Sequence, residues 1–572
     1  MNHKCDRFHD CEVSNSTVPL LPAVDLLVVG AGVNGLAIAR EAALRGWSTA
    51  VVDGEDLAAG TSSASSRLVH GGIRYLENME FRLVRESLRE RERLLRSAPH
   101  LVSPYPLLIP FYDHNRRPAW MLRVGMALYD LLSYDKTTPR HRLLSAKDLE
   151  RDYPGLEKRG LRGAALYFDA QAANAERLCI EQALDVVGLG GRLSTHTRVE
   201  RLSETPEGIR AELRETITGR AMTQIASSVV NAAGPWADRL LAEVPGSRTR
   251  LIGGTKGSHF AVGPFPGAPS TGVHYEAASD GRAVLVLPLP DGNYLIGATD
   301  IFFEGDPADA SMSREEISYL LGEVNRLIPS AHLGEADILY TVSGIRPLPF
   351  TPSAGSAAEV SRDHHVVADP WIRGLFSVTG GKLTTHRALG EMAMDVLERS
   401  RRPGGLWAGR LHRLGRRAPA TALKLPGARC EDWPSFRRRF LRSSAFGQGT
   451  AERLLSLYGV RAERVERLAR AEPALARPLP GYPHSLGAEV VLSVREEFAQ
   501  TLIDVLARRL VLSWSPGLAE AAAPAAARLM GGELGWDERR EQAEVQAYRA
   551  WASKHRAPEH AEPPAVPAPS AT

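Results

Sequence analysis

Cysteine is almost missing from this chain of 572 residues: Cys5, Cys11, Cys179 and Cys430 are all it holds, and no two form a C-x-x-C pair. That excludes a disulfide framework and matches a reducing compartment. No run of about eighteen apolar residues occurs, which excludes an ordinary spanning helix. The N-terminal stretch lacks the continuous apolar core of an export signal, so export is not expected. An excess of one charge is lacking too: 70 Lys and Arg stand against 67 Asp and Glu, a net +3. The basic residues are dispersed among acids and no recognition motif appears, so nucleic acid is not expected as a partner. No internal repeat is found. His3, Cys5, His9 and Cys11 are donors at short spacing, but they sit in a polar N-terminal extension that reads as unfolded, and no metal is expected.

What is present begins at Val24 to Asp53, VDLLVVGAGVNGLAIAREAALRGWSTAVVD. Val24 to Val29 is a short apolar run suited to a buried parallel strand. Gly30 allows a tight turn, Gly32 lets the backbone approach a pyrophosphate, and Gly35 lets the next helix pack close to the strand. The helix start offers a positive dipole end and unpaired N–H groups to that phosphate. Ser48 to Val52 gives a second strand, and Asp53, twenty-three positions after Gly30, can bond a ribose 2′-hydroxyl. The arrangement predicts the ADP half of a dinucleotide site.

The length predicts roughly three to four domain-sized units. TSSASSRLVHGGIRYLE, Thr61 to Glu77, is a hydroxyl-rich loop suited to cofactor phosphates or to a solvated linker. Asn78 to Leu101 carries Phe81, Val84, Leu88 and Leu95 on one helical face. Pro118 to Ser133 is the most apolar helix candidate; too short to span a bilayer, it fills a core or lies in an interface. Ser228 to Gly234 and Gly374 to Arg387 each read as a strand running into a glycine turn, and Gly253 to Pro347 as strands and turns of an antiparallel sheet. Arg401 to Ala418 is a linker, and Trp433 to Trp551 a helical domain, with helical periodicity through VVLSVREEFAQTLIDVLARRLVLSW. Ala557 to Thr572, with its prolines, reads as a disordered tail.

The residues VVGAGVNGLAIAREAALRG, TSSASSRLVHGGIRYLE with EFRLVRE, RPAWMLRVGMALYD, VNAAGPWA, KGSH, IGATD, SGIRPL and GGKLTTHR follow one another from about Asp25 to Leu389. In that order and spacing the chain resembles the FAD-dependent glycerol-3-phosphate dehydrogenases, the membrane-associated, quinone-linked kind, within the glycine oxidase and D-amino-acid oxidase superfamily. EVVLSVREEFAQTLIDVLARR looks like that family's C-terminal domain. The departures are Ala31, where a third glycine is frequent, Glu41 for aspartate, Asp53 for glutamate, and His386 where tyrosine commonly follows Lys-Leu-Thr-Thr; the role of His386 is open.

The resemblance implies an α/β fold: a discontinuous Rossmann-like FAD-binding domain (24–100, 165–250 and 345–400), an antiparallel β-rich substrate or cap domain (101–164 and 251–344), a linker (401–418) and a C-terminal α-helical domain (419–556), between an extension (1–23) and a tail (557–572). The cofactor is FAD, with Gly30, Gly32, Asn34, Gly35, Asp53, Thr61, Ser62, Ser63, Ser65, Ser66, Ala233, Gly234, Gly381, Lys382, Leu383 and Thr384 as its expected contacts. The implied reaction oxidises sn-glycerol 3-phosphate to dihydroxyacetone phosphate. A phosphate monoester carries about −1.5 to −2 charge near neutral pH and calls for at least two cations; Arg74, Arg346 and Lys382 are the candidates, with Tyr75 as a wall or hydroxyl and Arg362 pointed to by the family pattern. His70 is the favoured base and His259 the runner-up, since imidazole titrates near neutrality; a structural role for His70 stands beside this. The implied acceptor is a membrane quinone. The basic WPSFRRRFLR, Trp433 to Arg442, and Pro118 to Ser133 are candidates to meet an anionic lipid surface at the inner face of the cytoplasmic membrane, and a homodimer is expected. The rivals are an oxidase using dioxygen, a flavoenzyme acting on an amine or 2-hydroxy acid through a single arginine clamp, a flavoprotein without activity, and, weakest, an NAD-dependent dehydrogenase.

Overall fold

A computed structural model of the protein describes residues 23–76, 79–116, 119–244, 250–353, 357, 360–400 and 424–558. The N-terminal Cys/His extension, the linker and most of the tail lie outside them.

The first strand, Ala23–Val29, lies in the middle of an eight-stranded sheet among the described residues. Its parallel neighbours are Ala221–Asn231 on one side and Thr49–Val52 on the other, continued by Leu375–Thr379 and Arg192–Ser194. Alternate side chains of the first strand enter two different cores: Leu26 and Val28 pack with the helix side, Val24, Leu27 and Val29 with the opposite face. Burial on both faces is why the sequence reads as an unbroken apolar run. The helices Val33–Leu44, Ala175–Gly188 and His386–Ser400 cover the first of these faces. The α/β reading of the sequence, with its Rossmann-like glycine turn, is what this sheet displays.

A ten-stranded sheet, again among the described residues, forms the second layer. It is largely antiparallel, with one parallel pair between Gly272–Glu276 and Ser103–Tyr112. Helix Arg314–Leu327 packs on one face, and helices Phe81–Ser97 and Ala119–Leu132 on the other. Strand Leu161–Gln171 belongs to this sheet through its full pairing with Ser103–Tyr112. Residues 165–171, grouped with the nucleotide part by sequence, therefore hydrogen-bond in the second sheet instead. The same strand pairs with Leu68–Val69, which draws the chain that leaves the glycine loop across from one sheet to the other.

The C-terminal region is helical, with a short hairpin at Pro478–Leu479 and Tyr482–Leu486. The stretch of helical periodicity is divided into separate elements. Gly487–Glu496 ends where Glu497 is pulled into the core by Arg177 and Arg461, both at 2.6 Å, Phe498 takes φ +63°, and the chain resumes as a wide turn at Asp504–Arg509. Burial of these charges in pairs outweighs local helical preference. Arg177 lies on a nucleotide-layer helix, so the pair also ties the C-terminal region to that layer. No helix among the described residues is long and apolar enough to cross a membrane.

Candidate functional site

The glycine turn is built by steric demand. Gly30 has φ +112°, and a Cβ there would lie 2.4 Å from the Ala232 carbonyl oxygen; a Cβ on Gly35 would lie 1.9 Å from the Gly30 carbonyl oxygen. Only glycine permits the helix to start this close to two strand ends. Gly32 caps the helix with no side-chain bond, leaving N-terminal amides directed at the loop. The Ser62 hydroxyl accepts from the Val33 N–H at 3.0 Å. At the tip of the second strand Asp53 accepts from the Ala31 N–H at 2.6 Å and from the Glu55 N–H at 2.9 Å. Burial pushes its carboxyl up to about 6, against the pull of those two amides.

The rest of the expected cofactor wall converges on the same point from distant sequence. Gly380 and Gly381 have φ +71° and +94°, and a Cβ on Gly381 would meet the Asn34 amide at 2.5 Å. Asn34 donates weakly to the Gly380 carbonyl at 3.5 Å, and its buried Oδ1 has no partner. Ala233, whose N–H donates to Asn231 Oδ1 at 3.3 Å, and Gly234, at φ +57°, follow the neighbouring strand. Three hydroxyls of the serine loop already have partners in the protein, two of them within the loop. Thr61 donates to the Ile345 carbonyl, Ser63 to the Gly60 carbonyl, and Ser65 accepts from the Arg67 N–H; Ser66 is half-buried. Leu383 packs against the apolar core beneath the helices, and its carbonyl accepts from His386 Nδ1 at 2.6 Å. That bond ties His386 to the loop before its helix, and full burial lowers the imidazole to about 4. A cradle that a single Cβ would fill, at a helix start whose N-cap Gly32 has no side chain, fits the pyrophosphate end of a bound FAD.

Against this wall stands a cluster rich in cations. The Thr384 hydroxyl accepts from the His70 N–H at 3.1 Å and donates back to the His70 carbonyl at 3.3 Å, joining two loops 314 residues apart. Burial lowers His70 to about 4; Asp169 opposes this, and Lys382 and Arg362 reinforce it. The ring is therefore neutral at pH 7. Lys382 Nζ lies 3.8 Å from the Tyr75 ring centroid and is buried without a hydrogen-bond partner. Gly72, at φ +72°, makes room for that ring, since a Cβ would come within 2.2 Å of it. The Arg74 backbone lies in the short turn Ile73–Leu76; its side chain lies outside the described part.

Arg346 and Arg362 meet on a single carboxylate. Arg346 Nη1 donates to Asp300 Oδ1 at 2.9 Å, and Arg362 Nη2 to Asp300 Oδ2 at 2.7 Å. Gly257 leaves the space for Arg346, whose guanidinium nitrogen would be 2.1 Å from a Cβ there. Burial lowers Arg346 from its ordinary value, with Asp300 holding it up and Arg362 pushing it down. His259, 3 % exposed, has both ring nitrogens without partners; burial first, then Arg346 and Arg67, lower it to about 3. Asp300 was missed by sequence reasoning. It ends the quoted IGATD motif, but only the fold reveals that it sits between two arginines.

Asp56, His196 and Asp504 also come together, with donor atoms within 4.8 Å of one another. Their carboxylates already accept from Arg508 and Arg509, and His196 Nε2 bonds Asp504 at 2.9 Å, so the cluster is an ion-pair network joining the C-terminal region to the nucleotide layer.

The family described as FAD dependent oxidoreductase matches residues 25–396, and the C-terminal domain of alpha-glycerophosphate oxidase matches residues 419–541. The chain is 37 % identical over 553 residues to a glycerol-3-phosphate dehydrogenase of Synechocystis, covering 94 % of this chain and 98 % of that protein. It is 36 % identical to the D-erythritol 1-phosphate dehydrogenase of Brucella abortus, over 85 % of this chain and 93 % of the relative. Among solved structures it resembles a glycerol-3-phosphate dehydrogenase from Bacillus halodurans complexed with FAD, at TM-score 0.75 and 25 % identity, with 94 % and 96 % of the two chains covered.

Proposed function

The chain belongs to the FAD-dependent oxidoreductase family, and from that membership we propose that it oxidises sn-glycerol 3-phosphate to dihydroxyacetone phosphate and passes the electrons to a membrane quinone. The observation that carries the substrate class is the surplus of half-buried positive charge. Arg346 and Arg362 share one carboxylate, and the Lys382 ammonium has no acceptor at all. A buried ammonium without a partner is costly, and a phosphate dianion supplies what the three cations lack. A carboxylate substrate would need one arginine only. The names of two relatives, which describe dehydrogenases of glycerol 3-phosphate and of D-erythritol 1-phosphate, support a phosphorylated polyol.

Bound FAD supplies the hydride acceptor for the alcohol carbon. The side chains do the rest: Arg346 and Arg362 grip the phosphate in a forked, directional way, and Lys382 adds a point charge over the Tyr75 ring. Neutral His70 takes the hydroxyl proton, with His259 as the second candidate. The glycine cradle would hold the cofactor's pyrophosphate, Asp53 would bond its ribose, and the serine loop, Ala233–Gly234 and Gly381 to Thr384 would line the rest of its site.

An apolar face supports the quinone and a lipid surface. Trp120, Val124 and Leu131 of helix Ala119–Leu132 are 66 %, 59 % and 68 % exposed. Beside them a cavity of about 250 Å³ is lined by Ile73, Leu76, Phe81, Leu122 and Leu128, reaching the turn that follows His70. In helix Trp433–Ser443, Phe436 and Phe440 are buried, leaving its arginines to face anionic headgroups. The proposal includes a homodimer attached peripherally at the inner face of the cytoplasmic membrane. Turnover with a short-chain quinone, yielding one dihydroxyacetone phosphate per quinol without peroxide, is the expected result. Peroxide formed one for one with product, and no quinol, would make the protein an oxidase. Flotation with anionic vesicles at low salt tests the attachment, and protein left wholly in the soluble fraction would count against it.

A further inference from the structure

Directly beneath the His70 loop lies a buried polar cluster that none of the roles above uses. Val69 pairs with Ala170, which brings His70 and Gly71 alongside Asp169. Asp169 is 1 % exposed, and its Oδ1 alone accepts from Arg91 Nη1 at 2.6 Å, from the Tyr129 hydroxyl at 2.7 Å and from the Gly71 N–H at 3.2 Å. The Gly71 N–H also donates to the Tyr129 oxygen at 3.0 Å. Gly71 is pressed into this contact: a Cβ there would lie 2.3 Å from the Tyr129 oxygen and 2.4 Å from Leu88. Arg91 is fully buried on helix Phe81–Ser97, and Tyr129 is 2 % exposed on helix Ala119–Leu132, whose outer face carries Trp120, Val124 and Leu131. Two elements of the second layer thus end on the one amide that follows His70, and a third, through Arg91, braces the Asp169 carboxylate.

We propose that Tyr129 and Asp169 are positioning residues for His70: together they hold the Gly71 amide and so fix where the imidazole stands against substrate and flavin. This rests on the reading that His70 takes the substrate proton. A backbone amide with two buried acceptors has no alternative partner when the loop shifts, so the loop has one seat. The seat is pinned from the other side by Thr384, which grips both backbone groups of His70. Correct placement matters because a displacement of about 1 Å can cost on the order of a hundredfold in rate.

The test uses the FAD-loaded enzyme and Tyr129→Phe, which removes one hydroxyl from a site that keeps its shape, with Asp169→Asn as a second variant. In anaerobic stopped flow with sn-glycerol 3-phosphate, Tyr129→Phe is expected to lower the limiting rate of flavin reduction by roughly tenfold to a hundredfold. The substrate concentration giving half that rate, and the FAD content, stay as in the parent. Hydrogen exchange of the peptide covering residues 68–76 should quicken in the same variant, while peptides elsewhere do not change. Asp169→Asn should shift both readouts in the same direction. Unchanged exchange at 68–76 would overturn the inference, and so would quickened exchange with an unchanged limiting rate, which would leave the cluster purely structural. If the parent enzyme is not reduced by sn-glycerol 3-phosphate, the functional reading fails on its own, and exchange at the loop still decides whether Tyr129 holds it.

Discussion

At the scale of single residues the proposed site would work through positive charge that the protein leaves without a full set of partners. His70 is lowered to about 4 by burial, with Lys382 and Arg362 adding to the effect, so the ring accepts protons throughout the neutral range. Its replacement in His70→Asn should slow flavin reduction by roughly 10² to 10⁴, the usual span for a lost general base, while FAD stays bound; stopped flow at saturating substrate measures this. In the parent enzyme the rate should hold steady as pH falls from 8 and decline only as pH approaches 4. Asp300→Asn acts on binding. Without its carboxylate Arg346 and Arg362 repel each other and lose their shared orientation, so KM for the phosphorylated substrate should rise about tenfold, equivalent to about 1.4 kcal/mol, with kcat nearly constant in steady-state assays. The sequence offers Arg346, Lys382 and His70 as candidates because each lies next to glycines or prolines in a strand-to-loop motif. Asp300 was not assigned, and Asp169 was not noticed, because what distinguishes either is a partner brought from elsewhere in the chain.

At the scale of elements the glycine turn was legible nearly in full, since periodicity 2, three glycines, periodicity 3.6 and a second apolar run leave few ways to fold. Its tightness gives a sharp expectation. Gly35→Ala places a methyl 1.9 Å from the Gly30 carbonyl oxygen, so helix and strand must part, and the purified variant should carry little or no flavin absorbance while the circular dichroism stays that of a folded α/β protein. The long C-terminal stretch of helical periodicity is divided into separate elements, because Glu497 and Asp504 find arginines and a histidine that no local pattern reveals. The strand Leu161–Gln171 likewise went to the other sheet, since an apolar run does not say which edge it will pair with.

At the scale of the whole molecule, the layer of the first sheet and the C-terminal region are locked together by buried ion pairs. His196 joins the nucleotide layer to Asp504 of the C-terminal region, and that partner raises the imidazole to about 9 against the burial that lowers it. A raised folded-state value means the contribution is complete below about 6.5 and lost as pH climbs through 9, a change of about 3 kcal/mol at most. Thermal midpoints should therefore fall between pH 6.5 and 9 more steeply in the parent protein than in His196→Gln, as read by calorimetry. The central claim, that this assembly joins an FAD cradle to a phosphate-gripping pocket, is tested most directly by anaerobic titration of the purified holoprotein with sn-glycerol 3-phosphate, following the flavin absorbance near its visible maximum. The account predicts bleaching complete at about one equivalent or a small excess, given the favourable acceptor; a flavin that stays oxidised at saturating substrate would contradict it.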